Sequence, residues 1–253
     1  MTPLLGWAIA APAFFLLWLR QVRTRNATSV DAAWALTIGL LVGAYALTSE
    51  APISLRLLVA GFAGAWSLRL AWHLFFHRVL KEATEDGRYA AMRESWGKRA
   101  QIGMLATYQI QAGLAVLFSL PAWGVLQHGP SPGPIPVVIF LIALGGESLA
   151  DNQLARWRSD PTNRGKTCRA GLWKYSRHPN YFFEWLGWWA YVALAPASLL
   201  AWMGPPLMLL FLFRLTGIPW TENQALKSRG DDYRRYQENV SVFIPLPPKR
   251  KAS

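Results

Sequence analysis

The chain has few acidic residues and little charge of any kind for its length. Of its 253 residues, only 14 are Asp or Glu, against 26 Lys or Arg, and charged residues make up 16% of the total. Hydrophobic residues make up 53%, and 14 residues are Trp. This composition is unusual for a soluble globular domain and is typical of an integral membrane protein.

Several familiar kinds of site are missing as well. The single cysteine, Cys168, excludes an internal disulfide. There is no G-x-G-x-x-G motif and no strand-rich segment, which excludes a Rossmann cofactor domain. His73 and His77 have the spacing of two zinc ligands, but the residues between them include no Glu, so we predict no metal site. The basic residues are spread over several loops without a binding motif, so we predict no nucleic-acid partner.

Long apolar runs account for most of the chain. Each is long enough, or nearly so, to cross ~30 Å of hydrocarbon as a helix. The first run lacks the basic start and the A-x-A-like exit of a signal peptide, so we expect a retained helix. The seven runs are residues 4–19, 32–48, 51–76, 102–126, 134–150, 181–199 and 200–219.

The basic residues predict the orientation of these spans. Twenty-three of the 26 Lys and Arg residues fall in segments 20–25, 78–99, 156–177 and 227–251, and the alternate short loops have none. Because cytoplasmic loops carry the excess of Lys and Arg, the N-terminus is predicted outside and the C-terminus in the cytoplasm. The predicted fold class is therefore an all-α integral membrane protein with seven transmembrane helices, as one polytopic domain over residues 1–253.

Five acidic residues lie near span ends on the basic side of the membrane: Asp31, Glu147, Asp151, Glu184 and Glu222. A carboxylate at membrane depth is costly and normally faces a bundle interior or a wet cavity. Each one alone could simply pair with a nearby Arg at the interface. Five together favour a polar cavity that opens toward the cytoplasm.

The segment SRHPNYFFEW (176–185) has the pattern of a helix start. Pro179 is favoured in a first helical turn, and Asn180 and Glu184 then lie one turn apart on one face. Glu147 and Asp151 have the same spacing in the preceding span. Arg177 and His178 flank the new helix start, which indicates an anion site, and the basic loop before them could wrap a polyanion such as a nucleotide pyrophosphate.

Several blocks of the chain together resemble the steroid 5α-reductase family, and most closely its bacterial DUF1295-type branch. The blocks are RNATSVDAAW (25–34), WSLRLAWHLFFHR (66–78), EDGRY (85–89), ESLADNQLARWRSD (147–160), GLWKYSRHPNYFFEWLGWW (171–189) and YRRYQENVSVFIP (233–245). The resemblance implies a membrane-embedded enzyme, with its active site toward the cytoplasm of a bacterial inner membrane. Such an enzyme binds NADPH and reduces a carbon–carbon double bond conjugated to a ketone in a steroid-like or other lipid.

The resemblance also implies roles for individual residues, with the cofactor held by the C-terminal half, about 134–248. The residues expected on the nicotinamide and ribose are Glu147, Asp151, Asn180 and Glu184. The cations expected on the phosphates are Arg88, Arg158 and Lys166, and Tyr236 is expected in a C-terminal clamp. Asp31 is the expected catalytic acid. The family reductases usually carry a Gln-Glu pair and a Tyr near the substrate ketone, whereas the early block here offers only Asp31.

Two other functions fit some of the same residues. Membrane methyltransferases of the isoprenylcysteine carboxyl methyltransferase type share an R-H-P-x-Y followed by a Glu, and a late Y-x-x-Y, and would bind S-adenosylmethionine. A membrane scaffold would bind no small molecule. The cations Arg88, Arg158 and Lys166 favour NADPH, because S-adenosylmethionine has no phosphates to neutralise. The expected partners are a lipid substrate and the surrounding membrane lipids, while the substrate's identity and the oligomeric state are not predicted.

Overall fold

The structure, a computed structural model, describes residues 1–80, 84–129, 133–215 and 217–249. Helix accounts for 82% of these described residues, which form no strand beyond one isolated parallel bridge between Ser176 and Ser241. The predicted all-α class is confirmed. In these ranges the α-helices are α1 (Pro3–Thr24), α2 (Val30–Thr48), α3 (Ile53–Leu74), α4 (Gly87–Trp96), α5 (Ala100–His128), α6 (Pro134–Ser159), α7 (Pro179–Leu194), α8 (Leu199–Leu210), α9 (Ile218–Arg229) and α10 (Asp231–Asn239).

Proline sets the beginning of several helices. Pro3 opens α1 after Thr2, whose side chain accepts a hydrogen bond from the backbone N–H of Leu5. Pro134 opens α6, and Pro179 opens α7 as the sequence predicts. A first-turn residue needs no intrahelical N–H bond, so proline fits there at no cost in hydrogen bonding.

The helices confirm the prediction of a membrane protein. Fewer of the described helices than the predicted seven are long and apolar enough to span a membrane. In the described residues, six helical stretches are long and apolar enough to cross a membrane: Pro3–Thr24, Val30–Thr48, Ile53–Leu74, Gly87–His128, Pro134–Ser159 and Leu199–Arg229. Helix α7 has 16 residues, about 24 Å of rise, which is shorter than the ~30 Å of a bilayer core. The seventh span and the orientation of the termini stay predictions.

The chain forms two compact units. Unit 1 comprises Met1–Pro132 and Ala195–Ala201. Its core includes a cluster on α1, α4 and α5, in which Phe14, Tyr89, Met104 and Tyr108 are all buried. Unit 2 comprises Gly133–Leu194 and Trp202–Ser253. It contains seven of the eight residues predicted to bind a cofactor, the exception being Arg88.

Unit 2 is built on the close approach of α6 and α7. A Cβ placed on Gly146 of α6 would lie 2.4 Å from the ring of Phe183 on α7, so only glycine lets the two helices approach this closely. Small residues serve this purpose at many helix contacts in membranes. Beyond them, α9 and α10 pack on each other through the buried side chains of Ala225, Tyr233, Tyr236 and Val240. These contacts position the polar residues described next.

Candidate functional site

An acid–amide pair joins the polar ends of α6 and α7. Asn180 in the first turn of α7 donates a hydrogen bond through Nδ2 to Oδ1 of Asp151 on α6, at 3.1 Å. A carboxylate only accepts hydrogen bonds, so this contact fixes the orientation of the amide. The remaining amide oxygen of Asn180 is buried and has no donor among the described residues. Such an oxygen can accept from a ribose hydroxyl or a carboxamide of a ligand.

The other two predicted acids continue these same helix faces. Glu147 lies one turn before Asp151 on α6 and is 3% exposed. Glu184 lies one turn after Asn180 on α7 and is half-buried. The predicted stripe of polar residues is therefore on two packed helices of unit 2.

The end of α6 and the loop after it form a cavity of about 720 Å³ whose lining includes four cations. Arg158 is the last arginine of α6, Arg164 and Lys166 come from the loop, and Arg229 comes from the end of α9. Among the described residues that line it, Asp160 is the one carboxylate. Side-chain and backbone hydrogen bonds from Thr162 lower the pKa of Asp160. The excess of positive charge makes this cavity suitable for a polyanion, and its volume is in the range of small-molecule sites.

A tryptophan adds a further ligand group to the cavity. Trp157 lines it, and its buried indole Nε1–H has no acceptor among the described residues. A buried donor without an acceptor costs about 1–3 kcal/mol, so an acceptor such as a phosphate oxygen would be stabilising there. The cavity therefore combines charge with an unused donor.

Two hydrogen bonds hold the following loop against α6. The backbone N–H of Leu172 donates to Oε1 of Gln153 at 2.8 Å, and the indole of Trp173 donates to the carbonyl of Ala150 at 2.9 Å. Trp173 is buried. These contacts explain why a loop rich in basic residues keeps a defined position next to the helix that carries Arg158.

The Arg-His pair before α7 lies in an ion-pair cluster. Arg177 Nε donates to Oε1 of Glu222 on α9 at 2.7 Å, and His178 Nε2 lies 3.3 Å from the same oxygen. Gln237 of α10 donates to the other oxygen of Glu222 at 2.8 Å. The anion that the sequence predicts at this helix start is thus supplied by the protein itself, and these residues join α7 to α9 and α10.

Tyr236 anchors the C-terminal segment. Its side chain is 2% exposed, and its hydroxyl contacts the backbone carbonyls of Trp173 and Ser176. The backbone N–H of Arg177 also donates to the carbonyl of Ser241 at 2.8 Å. Tyr236 therefore joins the C-terminal segment to the loop before α7, and its role in a cofactor clamp stays a prediction.

Unit 1 contains the other two predicted site residues, and they bind each other. Arg88 Nη2 donates to Oδ2 of Asp31, and Arg88 Nε donates to Oδ1 of Asp86 at 3.0 Å. The hydroxyl of Tyr89 donates to Oδ1 of Asp31, and Gln111 Nε2 lies 3.3 Å from the same oxygen. Arg88 is therefore occupied by two carboxylates within unit 1.

The sequence alone did not identify Tyr89 as a neighbour of Asp31 or Arg229 as part of the cavity. Tyr89 directly follows Arg88 in EDGRY, but only the fold brings its hydroxyl to Asp31. Arg229 lies 65 residues beyond Arg164 in the chain and reaches the cavity through the packing of α9. A helical pattern in 218–229 shows a basic last turn, yet it does not show which loop that turn faces.

One known protein family matches most of the chain. The family model described as a protein of unknown function (DUF1295) matches residues 17–240. The chain belongs to the DUF1295 family. It is also similar to an uncharacterized protein of the fission yeast Schizosaccharomyces pombe, with 25% identity over 266 residues that cover 91% of this chain and 76% of the relative. No solved structure matches it.

Proposed function

We propose that this DUF1295 protein is a membrane-embedded, NADPH-dependent reductase of a conjugated carbon–carbon double bond in a steroid-like or other lipid. The observation that carries the proposal is the cavity of unit 2, where Arg158, Arg164, Lys166 and Arg229 are accompanied by the single carboxylate Asp160 in the described lining. NADPH carries a pyrophosphate and a 2′-phosphate, and cations of this kind bind phosphate oxygens by charge-assisted hydrogen bonds.

The chemistry of the donor set fits the rest of the cofactor. Asp151 can accept from a ribose hydroxyl, and the buried amide oxygen of Asn180 needs a donor that a hydroxyl or a carboxamide would supply. Asp151 lies seven residues before Arg158 on the same helix, about 10 Å along its axis. A dinucleotide is long enough to contact both. When bound, NADPH would supply a hydride to an activated double bond.

The proton donor is a separate part of the proposal and rests on unit 1 alone. Reduction of an enone needs a group that stabilises the developing enolate oxygen. Asp31 accepts hydrogen bonds from Arg88 and Tyr89, so we change its expected role from catalytic acid to orienting carboxylate and propose Tyr89 as the donor. A ketone oxygen near Tyr89 would compete with Asp31 for its proton. The resemblance to the steroid 5α-reductases supports an acidic residue in this block, and a cytoplasmic orientation of the cavity remains part of the proposal.

Thermal unfolding of the detergent-solubilised protein tests the cofactor. NADPH at 100 times its Kd should stabilise the fold by about 2.7 kcal/mol, and S-adenosylmethionine should give no stabilisation. Stabilisation by S-adenosylmethionine without any by NADPH would support the methyltransferase alternative and overturn the proposal. Stabilisation by neither ligand would favour a scaffold.

Substitutions in the cavity make the test specific. Arg158→Ala and Lys166→Ala should each weaken NADPH binding by about tenfold or more, since a hydrogen bond to a charged group contributes about 1.5–3 kcal/mol. Arg156→Ala is the matched control, because Arg156 lies on the same helix, is exposed and is not among the residues that line the cavity. Equal effects at Arg156 and Arg158 would refute the assignment of the phosphates to this cavity.

NADPH oxidation with a set of enone lipids tests the donor. Tyr89→Phe should lower turnover by about 100-fold while leaving NADPH binding unchanged, and Asp31→Asn should lower it as well. Tyr108→Phe is the control, because Tyr108 belongs to the same buried cluster as Tyr89. Full turnover in both the Tyr89 and the Asp31 variants would remove unit 1 from the reaction.

A further inference from the structure

Two separate walls of the cationic cavity are joined by one carboxylate that does not line it. The loop after α6 forms one wall and carries Lys166. The end of α9 forms the other and carries Arg229. Asp232 lies in the first turn of α10, three residues after Arg229, and it binds the first wall.

The contacts of Asp232 are specific. Its Oδ2 accepts a hydrogen bond from the backbone N–H of Thr167 at 2.8 Å, and its Oδ1 accepts from Nη2 of Arg169 at 2.9 Å. The same guanidinium nitrogen also donates to the backbone carbonyl of Asp232 at 2.9 Å. Thr167 is 4% exposed and is the direct neighbour of Lys166, so a shift at Thr167 moves the cation beside it.

The connection from Asp232 back to Arg229 is short and well defined. Gly230 joins α9 to α10 with a φ of +53°, a conformation that residues with a Cβ rarely adopt. Tyr233, the residue after Asp232, is 3% exposed and packs in the α9–α10 core, and the guanidinium of Arg229 lies 5.0 Å from the centre of its ring. The position of Asp232 therefore follows the position of Arg229.

We propose that Asp232 is a positioning residue for the cationic cavity: by binding Thr167 and Arg169, its carboxylate fixes the loop that carries Lys166 against the helix end that carries Arg229. This inference rests on the proposed function, since it assumes that these cations bind the phosphates of a ligand. Asp232 touches no ligand itself. It acts by holding two phosphate-binding groups at one separation, which saves the cost of ordering them on binding.

Asp232 also neutralises one positive charge of the loop, that of Arg169. Arg169 is exposed, and its ion pair with Asp232 directs the guanidinium to α10. Burial acts to raise the pKa of Asp232, but the hydrogen bonds from Thr167 and the nearby charges of Arg169 and Arg235 outweigh it, and the pKa lies below its ordinary value. The carboxylate is thus ionised at neutral pH and available for both contacts.

The test compares Asp232→Asn with Asp231→Asn. Asp231 is the matched control, because it is adjacent, exposed, in the same helical turn, and paired only with Arg234 among the ion pairs that the structure describes for it. Binding of NADPH and of inorganic pyrophosphate is measured by calorimetry on the detergent-solubilised protein. We expect Asp232→Asn to weaken the binding of both ligands by about tenfold, which is the effect of one hydrogen bond to a charged group. Asp231→Asn should weaken the binding of each ligand by less than about twofold.

A double-mutant cycle separates positioning from general stability. If Asp232 acts through Lys166, then Asp232→Asn should have a much smaller effect in a Lys166→Gln background. Full additivity, or equal effects at Asp231 and Asp232, would overturn the inference. Asp232→Glu keeps the charge and should restore part of the affinity. If Asp232→Asn does not fold, Arg169→Gln removes one of the two contacts from the opposite side and should weaken pyrophosphate binding by itself.

The outcomes for the inference and for the proposed function differ. Wild-type protein that binds pyrophosphate and not NADPH would refute the proposed function, and the pyrophosphate arm would still decide the role of Asp232. Wild-type protein that binds both ligands with no change in Asp232→Asn would refute only the inference. Wild-type protein that binds neither ligand would refute both.

Discussion

The charges around Arg88 in unit 1 and those around the cavity of unit 2 are arranged in opposite ways. In unit 1, Arg88 is matched by Asp31 and Asp86, and Arg93 donates to both oxygens of Glu85. In unit 2, four cations line one cavity together with a single carboxylate in the described lining. Cations that contact carboxylates within the fold hold it together, whereas an excess of cations around a cavity is suited to binding an anion. The comparison therefore separates structural charges from candidate ligand contacts without reference to any relative.

The largest expected difference between the two units is in stability. Arg88→Ala removes the guanidinium that Asp31 and Asp86 both contact, and the Arg88 side chain is only 21% exposed. Removal of one member of a buried ion pair costs about 3 kcal/mol. Arg158→Ala removes a side chain that is exposed, and it should change the free energy of unfolding of the ligand-free protein by less than Arg88→Ala does. Denaturant titration in detergent, followed by circular dichroism, measures both.

When ligand binding is measured instead, Arg158→Ala should have the larger effect and Arg88→Ala the smaller one. Arg158→Ala should lose most of the stabilisation by NADPH, and folded Arg88→Ala should keep it. If Arg88→Ala were as stable as wild type and lost NADPH binding, then Arg88 would be a phosphate ligand, as the sequence predicts, and the division of roles between the units would be wrong.

The second prediction concerns the helix contact that positions the cavity. Gly146→Ala should destabilise the protein by about 1–3 kcal/mol, because the new methyl group would lie 2.4 Å from the Phe183 ring and force α6 away from α7. It should also weaken the Asp151–Asn180 contact and with it NADPH binding. Gly145→Ala is the control, since a Cβ there meets nothing within 4 Å. Similar stability of the two variants would contradict the close packing of α6 on α7.

The sequence predicts the helices of this protein better than it predicts which residues contact each charged side chain. Apolar runs and Pro179 predict the spans and the start of α7, because length, hydropathy and the missing proline N–H act locally. The partner of a cation is decided by tertiary packing. The resemblance that implies Arg88, Arg158 and Lys166 as one group cannot show that Asp31 and Asp86 already contact Arg88. It also cannot show that Arg229 comes from a distant helix to join Arg158 and Lys166.

The third prediction uses a cluster of unit 2 that has the same character as the paired charges of unit 1. His178 is 2% exposed, and its burial lowers the pKa of the imidazole, with Glu222 acting against this and Arg177 acting with it. In the unfolded chain the imidazole titrates near its ordinary pKa of about 6.5. As the pH falls below that value, the unfolded state binds a proton that the folded state resists, so stability should decrease toward acid.

His178→Gln should flatten this dependence, and the slope that it removes is at most about 1.4 kcal/mol per pH unit. Unfolding measured at a series of pH values between about 5 and 8 in wild type and variant checks it. The same slope in both proteins would mean that His178 titrates alike in the folded and unfolded states.

The smallest expected effect is on the reactivity of Cys168, the only thiol of the chain, which lines the cationic cavity and is 2% exposed. Burial raises the pKa of this thiol, although the N–H of Ala170 and the charges of Arg158 and Arg229 act in the opposite direction. Because the thiolate is the reactive form, a maleimide should label native protein at least about tenfold more slowly than unfolded protein. NADPH at a concentration near its wild-type Kd should slow labelling further in wild type, since the ligand would occupy the space beside Cys168. The same concentration should protect the Arg158→Ala variant much less, because its affinity is expected to be about tenfold weaker or more. Equal protection in both proteins would place the ligand outside this cavity, and the contrast between the paired charges of unit 1 and the cationic lining of unit 2 would then carry no functional meaning.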